Sequence, residues 1–287
     1  MALTGLAIFK LLPKTNCKKC GFPTCLAFAM QLAQKKASLD KCPDASDEAK
    51  TALAAAAEPP MRLVKFGAGD AKVQTGGETV MFRHDEKFHN PTILAVTVSD
   101  TLEGDALKQR IEAISGLQFE RIGQHIQVNA IAVMNESGKA DAFAAAAEAA
   151  KAAPLAMILV TDSPEAMSAA LEKTADARPL LCAATAETAE EMAKLAKDKA
   201  CPLVAKAESP EALAEITEKI KAAGVEDIAL MLSGAGPWDE LQALTQVRGL
   251  ALKKNFRPLG YPIIAFATEG SEYEQAARAA SLICKYA

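Results

Sequence analysis

Aromatic residues are scarce in this chain: one Trp, three Tyr and ten Phe make up 5% of its 287 positions. Half the residues are nevertheless hydrophobic. The core must therefore be built from aliphatic side chains and alanine, as in the runs at 54–57 and 144–147, on helices that approach one another closely. No apolar stretch reaches the ~18 residues that cross a bilayer, so no membrane partner is expected. The first twelve residues, MALTGLAIFKLL, are apolar but lack a basic flank and are interrupted by Lys10. They read as a packed lid over the neighbouring segment rather than a targeting signal, and the protein is expected to be cytoplasmic. Charge of one sign is also lacking. Thirty-two basic residues are dispersed among 36 acidic ones for a net charge of −4, which leaves no basic stripe for nucleic acid.

Cysteine is the exception to this plainness. There are seven, an odd number that suits a disulfide framework poorly, and four of them crowd the first 42 residues. Cys17, Cys20, Cys25 and Cys42 follow the spacing C-x2-C-x4-C-x16-C. Three thiolates within nine residues can converge on one side of a tight loop, and the fourth returns after a helix. Gly21 lets that loop turn, Pro23 fixes its exit, and Thr24 can N-cap the helix that opens at Cys25. Four thiolates at tetrahedral corners suit a 4Fe–4S cluster. The N–H groups and positive end of the helix would face its negative charge. A zinc ion held by four cysteines is the competing reading. Zinc cysteines usually come as paired knuckles, and Cys42 has no second cysteine beside it. The other three thiols look inert. Cys182 in an apolar strand and Cys284 on the apolar side of the last helix read as core filler, and Cys201 opens a strand with nothing nearby to activate it.

Beyond the cysteines the chain alternates. A short helix is expected at 43–58, and Pro59 and Pro60 end it, so the domains are read as 1–58, a cluster module with a linker helix, and 59–287. Glycines 67, 69, 76 and 77 come next, then a strand at 79–83. Apolar strands are predicted at 92–98, 126–133, 155–160, 179–184, 202–207, 227–232 and 262–267. Helices rich in Ala, Glu and Lys separate them, several opened by Ser-Pro or Thr-x-x-Glu. Buried strands alternating with helices predict a parallel α/β sheet. Counting from residue 92 gives seven strand–helix units, one short of a TIM-type (β/α)8 barrel, so the barrel is expected to be truncated before its last strand; partial substitution by the strand at 79–83 is the alternative. A doubly wound open sheet is the alternative, although no G-x-G-x-x-G follows the first strand.

The run N-C-K-K-C-G-F-P-T-C-L-A-F-A resembles the cluster module of the corrinoid/iron–sulfur protein large (gamma) subunits. The segment TVMFRHDEKFHNPTILAV at 79–96 and the alternating barrel are similar to the same family. The resemblance implies a methyl carrier of the acetyl-CoA (Wood–Ljungdahl) pathway. A methyltransferase would load cobalt from methyltetrahydrofolate, acetyl-CoA synthase would receive the methyl group, and the 4Fe–4S cluster would restore Co(I). It carries Cys17, Cys20, Cys25 and Cys42 over as cluster ligands. It also implies three partners: the small barrel subunit, the methyltransferase and CO dehydrogenase/acetyl-CoA synthase. The corrinoid is expected in the full complex and not on these residues alone, since no cobalamin domain follows in this sequence and no D-x-H-x-x-G is present. Two other functions fit the same residues: an electron-transfer subunit using the module alone, and a barrel methyltransferase that binds folate itself. For the last, Asp100, Asn129 and Asp162 stand near strand ends, although such residues also favour loop starts and caps. His84 and His89 lie five apart, the wrong interval for one helical face. His125 reads as structural, and the turn at 233–237 as a plain loop that could accept an anion.

Overall fold

The computed structural model describes residues 5–33, 37–46, 50, 59–82, 85, 86, 88, 90–233 and 236–285. The chain divides into two compact units, Met1–Pro60 and Met61–Ala287.

In the first unit, helix α1 (Gly5–Leu11) packs on helix α2 (Cys25–Ala33). Ile8 and Leu12 bury themselves against Phe28 and Ala29 of α2, with Cys25, Cys42 and Ala45 in the same small cluster. The apolar N-terminal stretch thus acts as a lid, for the ordinary reason that burying each aliphatic side chain yields about 1.5–3 kcal/mol. Thr24 caps α2 through its hydroxyl, which accepts the Ala27 N–H at 3.1 Å. The helix expected at 43–58 lies mostly outside the described residues.

The second unit is a mixed α/β body around one parallel sheet. Its strands are β3 (Ala95–Ser99), β6 (Ala130–Met134), β7 (Ala156–Val160), β8 (Leu180–Ala184), β9 (Leu203–Ala207) and β10 (Ile228–Leu232), in the spatial order β10-β9-β8-β7-β6-β3. Helices α3 (Gly104–Ser115), α4 (Ala140–Ala150), α5 (Pro164–Thr174), α6 (Ala189–Asp198), α7 (Pro210–Ala222), α8 (Pro237–Lys254) and α9 (Glu272–Lys285) complete the alternation. Every step along the sheet goes to the next parallel neighbour and never doubles back. With right-handed crossovers, that order puts the helices on one face. A doubly wound sheet needs a reversal point, and none occurs among the described strands. The run at 262–266 takes a seventh position beside β10: Leu230 N–H donates to Pro262 O at 2.8 Å, and Ile264 N–H donates to Leu230 O at 2.9 Å. The strands follow one another in sequence across the sheet, six plus one bridged segment, and a closed eight-stranded barrel is not formed among the described residues.

Alternation along the strands separates two cores. Ile131, Val133, Met157, Leu159, Leu181, Leu203 and Leu230 face the helices, where Phe143, Met167, Leu171 and Met192 meet them. Ala130, Ala132, Ala156, Ile158, Leu180, Cys182, Val204 and Ala229 face the other way. That inner face is built largely of small residues, and Phe66 fills it from a short antiparallel pair, β1 (Val64–Phe66) with β2 (Val73–Thr75). Gly67 and Gly76 make the pair possible. Both have φ above +80°, and a Cβ on them would collide with the carbonyl oxygens of Ala71 and Arg62.

Two sequence expectations need correction. Residues 79–82 form no strand, and 83 lies outside the described residues. Their carbonyls bond to a side chain instead: buried Arg248 of α8 donates from Nε to Met81 O and from Nη2 to Val80 O, both at 3.0 Å. Its guanidinium also stacks over Phe88 at 4.8 Å. A segment anchored this way has no ladder to join. The strand expected at 126–133 is two. A hairpin, β4 (Gln118–Arg121) with β5 (Gln124–Gln127), turns at Ile122 and Gly123, which both have positive φ, and β6 starts afresh at Ala130.

Candidate metal centre

Cys17 and Cys20 sit on the loop between α1 and α2, Cys25 is the first residue of α2, and Cys42 follows a 3-10 turn at Leu39–Lys41. Cys17 is exposed, Cys20 half-buried, and Cys25 and Cys42 are buried. The loop is tightly wound. Lys14, Asn16, Lys18 and Gly21 all adopt positive φ, and Gly21 N–H closes a turn on Lys18 O at 3.0 Å. A cross-brace ties the two halves: Asn16 Oδ1 accepts the Cys25 N–H at 2.8 Å. A second tie is the ion pair of Lys19 Nζ with Asp44 Oδ2 at 3.2 Å, joining the loop to the segment after Cys42.

The electrostatics group the thiols. Burial pushes the Cys42 thiol up, the Asp44 N–H opposes that, and the negative charges of Cys20 and Cys17 push it further. The Lys19 ammonium is raised, first by its bond to Asp44 and also by Cys17 and Cys42. No trio of Cys, His, Asp or Glu among the described residues is drawn tightly enough to grip a single metal ion. The chemistry of the donor set suits an iron–sulfur cluster: four thiols from one loop, one helix start and one turn.

The remaining sequence candidates are dispersed. Cys182 and Cys201 are buried, and burial holds their thiols at about 12 and about 11, far from reactivity. Cys284 is exposed, contrary to its reading as core filler, because it lies on the outer side of α9. Asp100 is buried and fully engaged: it accepts the N–H groups of Glu136 and Ser137, both at 2.9 Å, and the Ser137 hydroxyl at 2.6 Å. It is a loop cap. Asp162 pairs with Lys206 at 2.6 Å at the carboxyl ends of the strands. Asn129 is at the opposite end of the sheet, where its Oδ1 accepts the Leu94 N–H at 3.0 Å, so these three do not form one site. The residue missed at the carboxyl mouth is Asn135, which donates to Thr161 Oγ1 at 3.0 Å and has a buried Oδ1 without a partner. His125 lies within β5, exposed, beside the Gln127 side chain. His84, His89 and the middle of the turn at 233–237 lie outside the described residues.

The second unit has two notable cavities. One of about 380 Å3 opens between β3 and the 262–268 run, lined by Phe66, Val96, Ile264, Phe266 and Leu282. The other, of about 360 Å3, lies at the carboxyl mouth near Glu208, Ser233 and Glu269. There Arg278 donates to buried Glu240 at 2.8 Å. No helix among the described residues is long and apolar enough to cross a membrane.

Comparison with known proteins bears on both units. A family model described as "CO dehydrogenase/acetyl-CoA synthase delta subunit" matches residues 63–287. One described as "Putative Fe-S cluster" matches residues 12–43, which contain all four cysteines. The chain is 46% identical, over its whole length, to the corrinoid/iron–sulfur protein large subunit of Moorella thermoacetica, of which it covers 65%. It is 34% identical, again over its whole length, to the acetyl-CoA decarbonylase/synthase complex subunit gamma of Methanothermobacter thermautotrophicus, covering 66% of it. With the Methanopyrus kandleri subunit of that name it shares 36% identity over 91% of the chain, covering 57% of the relative. The chain thus spans less than two thirds of the length of these curated relatives. An iron–sulfur cofactor is supported for the N-terminal segment.

Proposed function

We propose, from the premise that this chain belongs to the CO dehydrogenase/acetyl-CoA synthase delta subunit family, that it works as the large subunit of a corrinoid/iron–sulfur methyl carrier. In this reading the whole protein takes a methyl group from methyltetrahydrofolate, through a methyltransferase, and passes it to acetyl-CoA synthase. A small barrel subunit and CO dehydrogenase/acetyl-CoA synthase are its partners, in the cytoplasm. Cys17, Cys20, Cys25 and Cys42 hold a 4Fe–4S cluster, whose chemistry when bound is one-electron transfer, used to return the corrinoid to its reduced state. This chain's residues do the rest. The two loop thiols and the two buried ones anchor the cluster, α1 covers the packed side of the module, and Lys19 places a positive charge next to Cys17 and Cys42.

The observation that carries this reading is the four-thiol set, with Cys17 and Cys20 on one loop, Cys25 fixed at a helix start by Asn16 and Cys42 after a turn. The domain reading supported by these features is a module at 1–58 and a barrel domain from 59 onward. The corrinoid is assigned to the full complex, with only weak binding by residues 1–287.

The test is oxygen-free purification with iron, acid-labile sulfide and cobalt counted per chain. Four irons, four sulfides and a visible band bleached by dithionite are expected, with little cobalt. Stoichiometric zinc without sulfide would overturn the cluster, and tight stoichiometric cobalamin would overturn the assignment of the corrinoid to other parts of the complex. Direct binding of methyltetrahydrofolate by the chain would move the reading to a barrel methyltransferase.

A further inference from the structure

We infer that Asn16 is a positioning residue of the metal centre, which sets Cys25 relative to Cys17 and keeps the Cys25 N–H away from sulfur. The inference rests on the cluster reading above and deepens it.

Cys25 is the first residue of α2, directly after the N-cap Thr24. An N-cap side chain reaches the second or third N–H of its helix, and Thr24 takes the third, that of Ala27. The first N–H belongs to Cys25, and no residue of the helix can satisfy it. Asn16 does so from nine residues upstream, at 2.8 Å. Its place in the chain matters, because the next residue is Cys17. One hydrogen bond therefore spans from the neighbour of the first thiol to the backbone of the third.

The backbone supports this role. Asn16 has φ +48°, between Lys14 at +59° and Lys18 at +61°. Asparagine and aspartate are the side-chain-bearing residues that adopt this region most readily, so position 16 has both the conformation and the acceptor. Glycine would match the conformation at no steric cost and without the acceptor. Lysines at 14 and 18 hold the same conformation without making such a bond, so left-handed geometry alone does not explain the asparagine.

The consequence is electronic as well as geometric. Hydrogen bonds to cluster sulfurs stabilise the more negative, reduced form and raise the potential. An N–H donated to Asn16 is not available to sulfur. Asn16 therefore holds the potential low while it fixes the loop.

The test uses the full chain purified without oxygen, as wild type, Asn16→Gly and Asn16→Asp. Asn16→Gly keeps the backbone conformation and loses the acceptor, whereas Asn16→Asp keeps both. The readouts are iron and sulfide per chain, the rate of iron release to a ferrous chelator, and the midpoint potential followed by electron paramagnetic resonance. Asn16→Gly is expected to release iron about tenfold faster, as for loss of a helix cap, with its midpoint shifted positive. Asn16→Asp is expected to restore the slow release, with a midpoint at or below that of the wild type because of the added negative charge. Should Asn16→Gly fail to load iron while Asn16→Asp loads it, the inference also stands. It falls if Asn16→Gly matches wild type in release rate and potential, or if Asn16→Asp behaves like Asn16→Gly or fails to load. A wild-type chain without iron and sulfide would overturn the cofactor reading instead.

Discussion

The two units of this chain are held together by different means. The second has two apolar layers, one between strands and helices and one on the inner face of the sheet. Among its described residues the first buries little more than Ile8, Leu12, Phe28, Ala29 and Ala45, and counts two of its cysteines in the same cluster. A unit of about 60 residues with so small a core rarely folds on hydrophobic burial alone and usually needs a metal or cross-links. Its stability should therefore be the cofactor's stability, while the barrel-like unit should be indifferent to iron.

The largest expected effect comes from that difference. Removing iron from the reduced protein with a chelator should abolish amide protection across residues 5–46 and leave β6 to β10 protected as before. Hydrogen exchange read by mass spectrometry checks both halves at once. Persistence of protection in α1 and α2 without iron would break the contrast between the units. The opposite intervention comes next in size. Phe143 is fully buried between α4 and the sheet, so Phe143→Ala should destabilise the second unit by about 3–5 kcal/mol and leave iron content unchanged. Arg248→Met should cost about 3 kcal/mol, since it removes the donors to the buried Met81 O and the part-buried Val80 O. Urea melts monitored on the second unit decide both cases. A smaller effect is expected in the first unit, where Thr24→Ala removes the cap on Ala27 and should weaken α2 by about 1 kcal/mol, read as faster iron loss.

Legibility in the sequence divides along similar lines. The helices and strands of the second unit were readable because each is a local pattern: apolar runs of five, and Ser-Pro at 163–164 and 209–210, where Ser163 and Ser209 do cap α5 and α7. What failed was non-local or atypical. The β4–β5 turn uses Ile122-Gly123 instead of Asn-Gly, so 126–133 looked like one strand. The segment at 79–82 has the composition of a strand, but Arg248, 167 residues away from Met81, claims its carbonyls. Cys284 faces outward on α9 because the buried side of that turn is taken by Leu282, a choice between neighbouring apolar residues that composition alone does not make. At the metal centre the thiol spacing and the Thr24 cap were local signals. The Asn16 brace and the Lys19–Asp44 pair were not, although an asparagine directly before the first cysteine of a tight loop is a usable hint.

This contrast between local and distant capping can be sharpened at α9, with the smallest effect of the set. Ser271 and Glu274 form a capping box, Ser-x-x-Glu. The Ser271 N–H and hydroxyl donate to Glu274 Oε2 at 2.8 and 2.7 Å, and Glu274 N–H donates back to Ser271 Oγ at 3.4 Å. Those donations hold the Glu274 carboxyl below its usual range. A carboxyl lowered in the folded state adds stability above its unfolded pKa, and that contribution is lost as pH falls through the folded value. The side chain is exposed, so the gain is small and is best read site by site. In Ser271→Ala the Glu274 midpoint, followed by NMR, should rise only part of the way to the ordinary glutamate range, because the hydroxyl donor is lost while the backbone N–H of residue 271 still donates, with fraying confined to the first turn of α9. Iron content and the amide protection of α2 should not change, because the α9 cap is made within four residues, whereas the Asn16 brace on α2 reaches across nine. An unshifted midpoint in Ser271→Ala would mean that the backbone N–H of residue 271, rather than the serine hydroxyl, lowers the carboxyl.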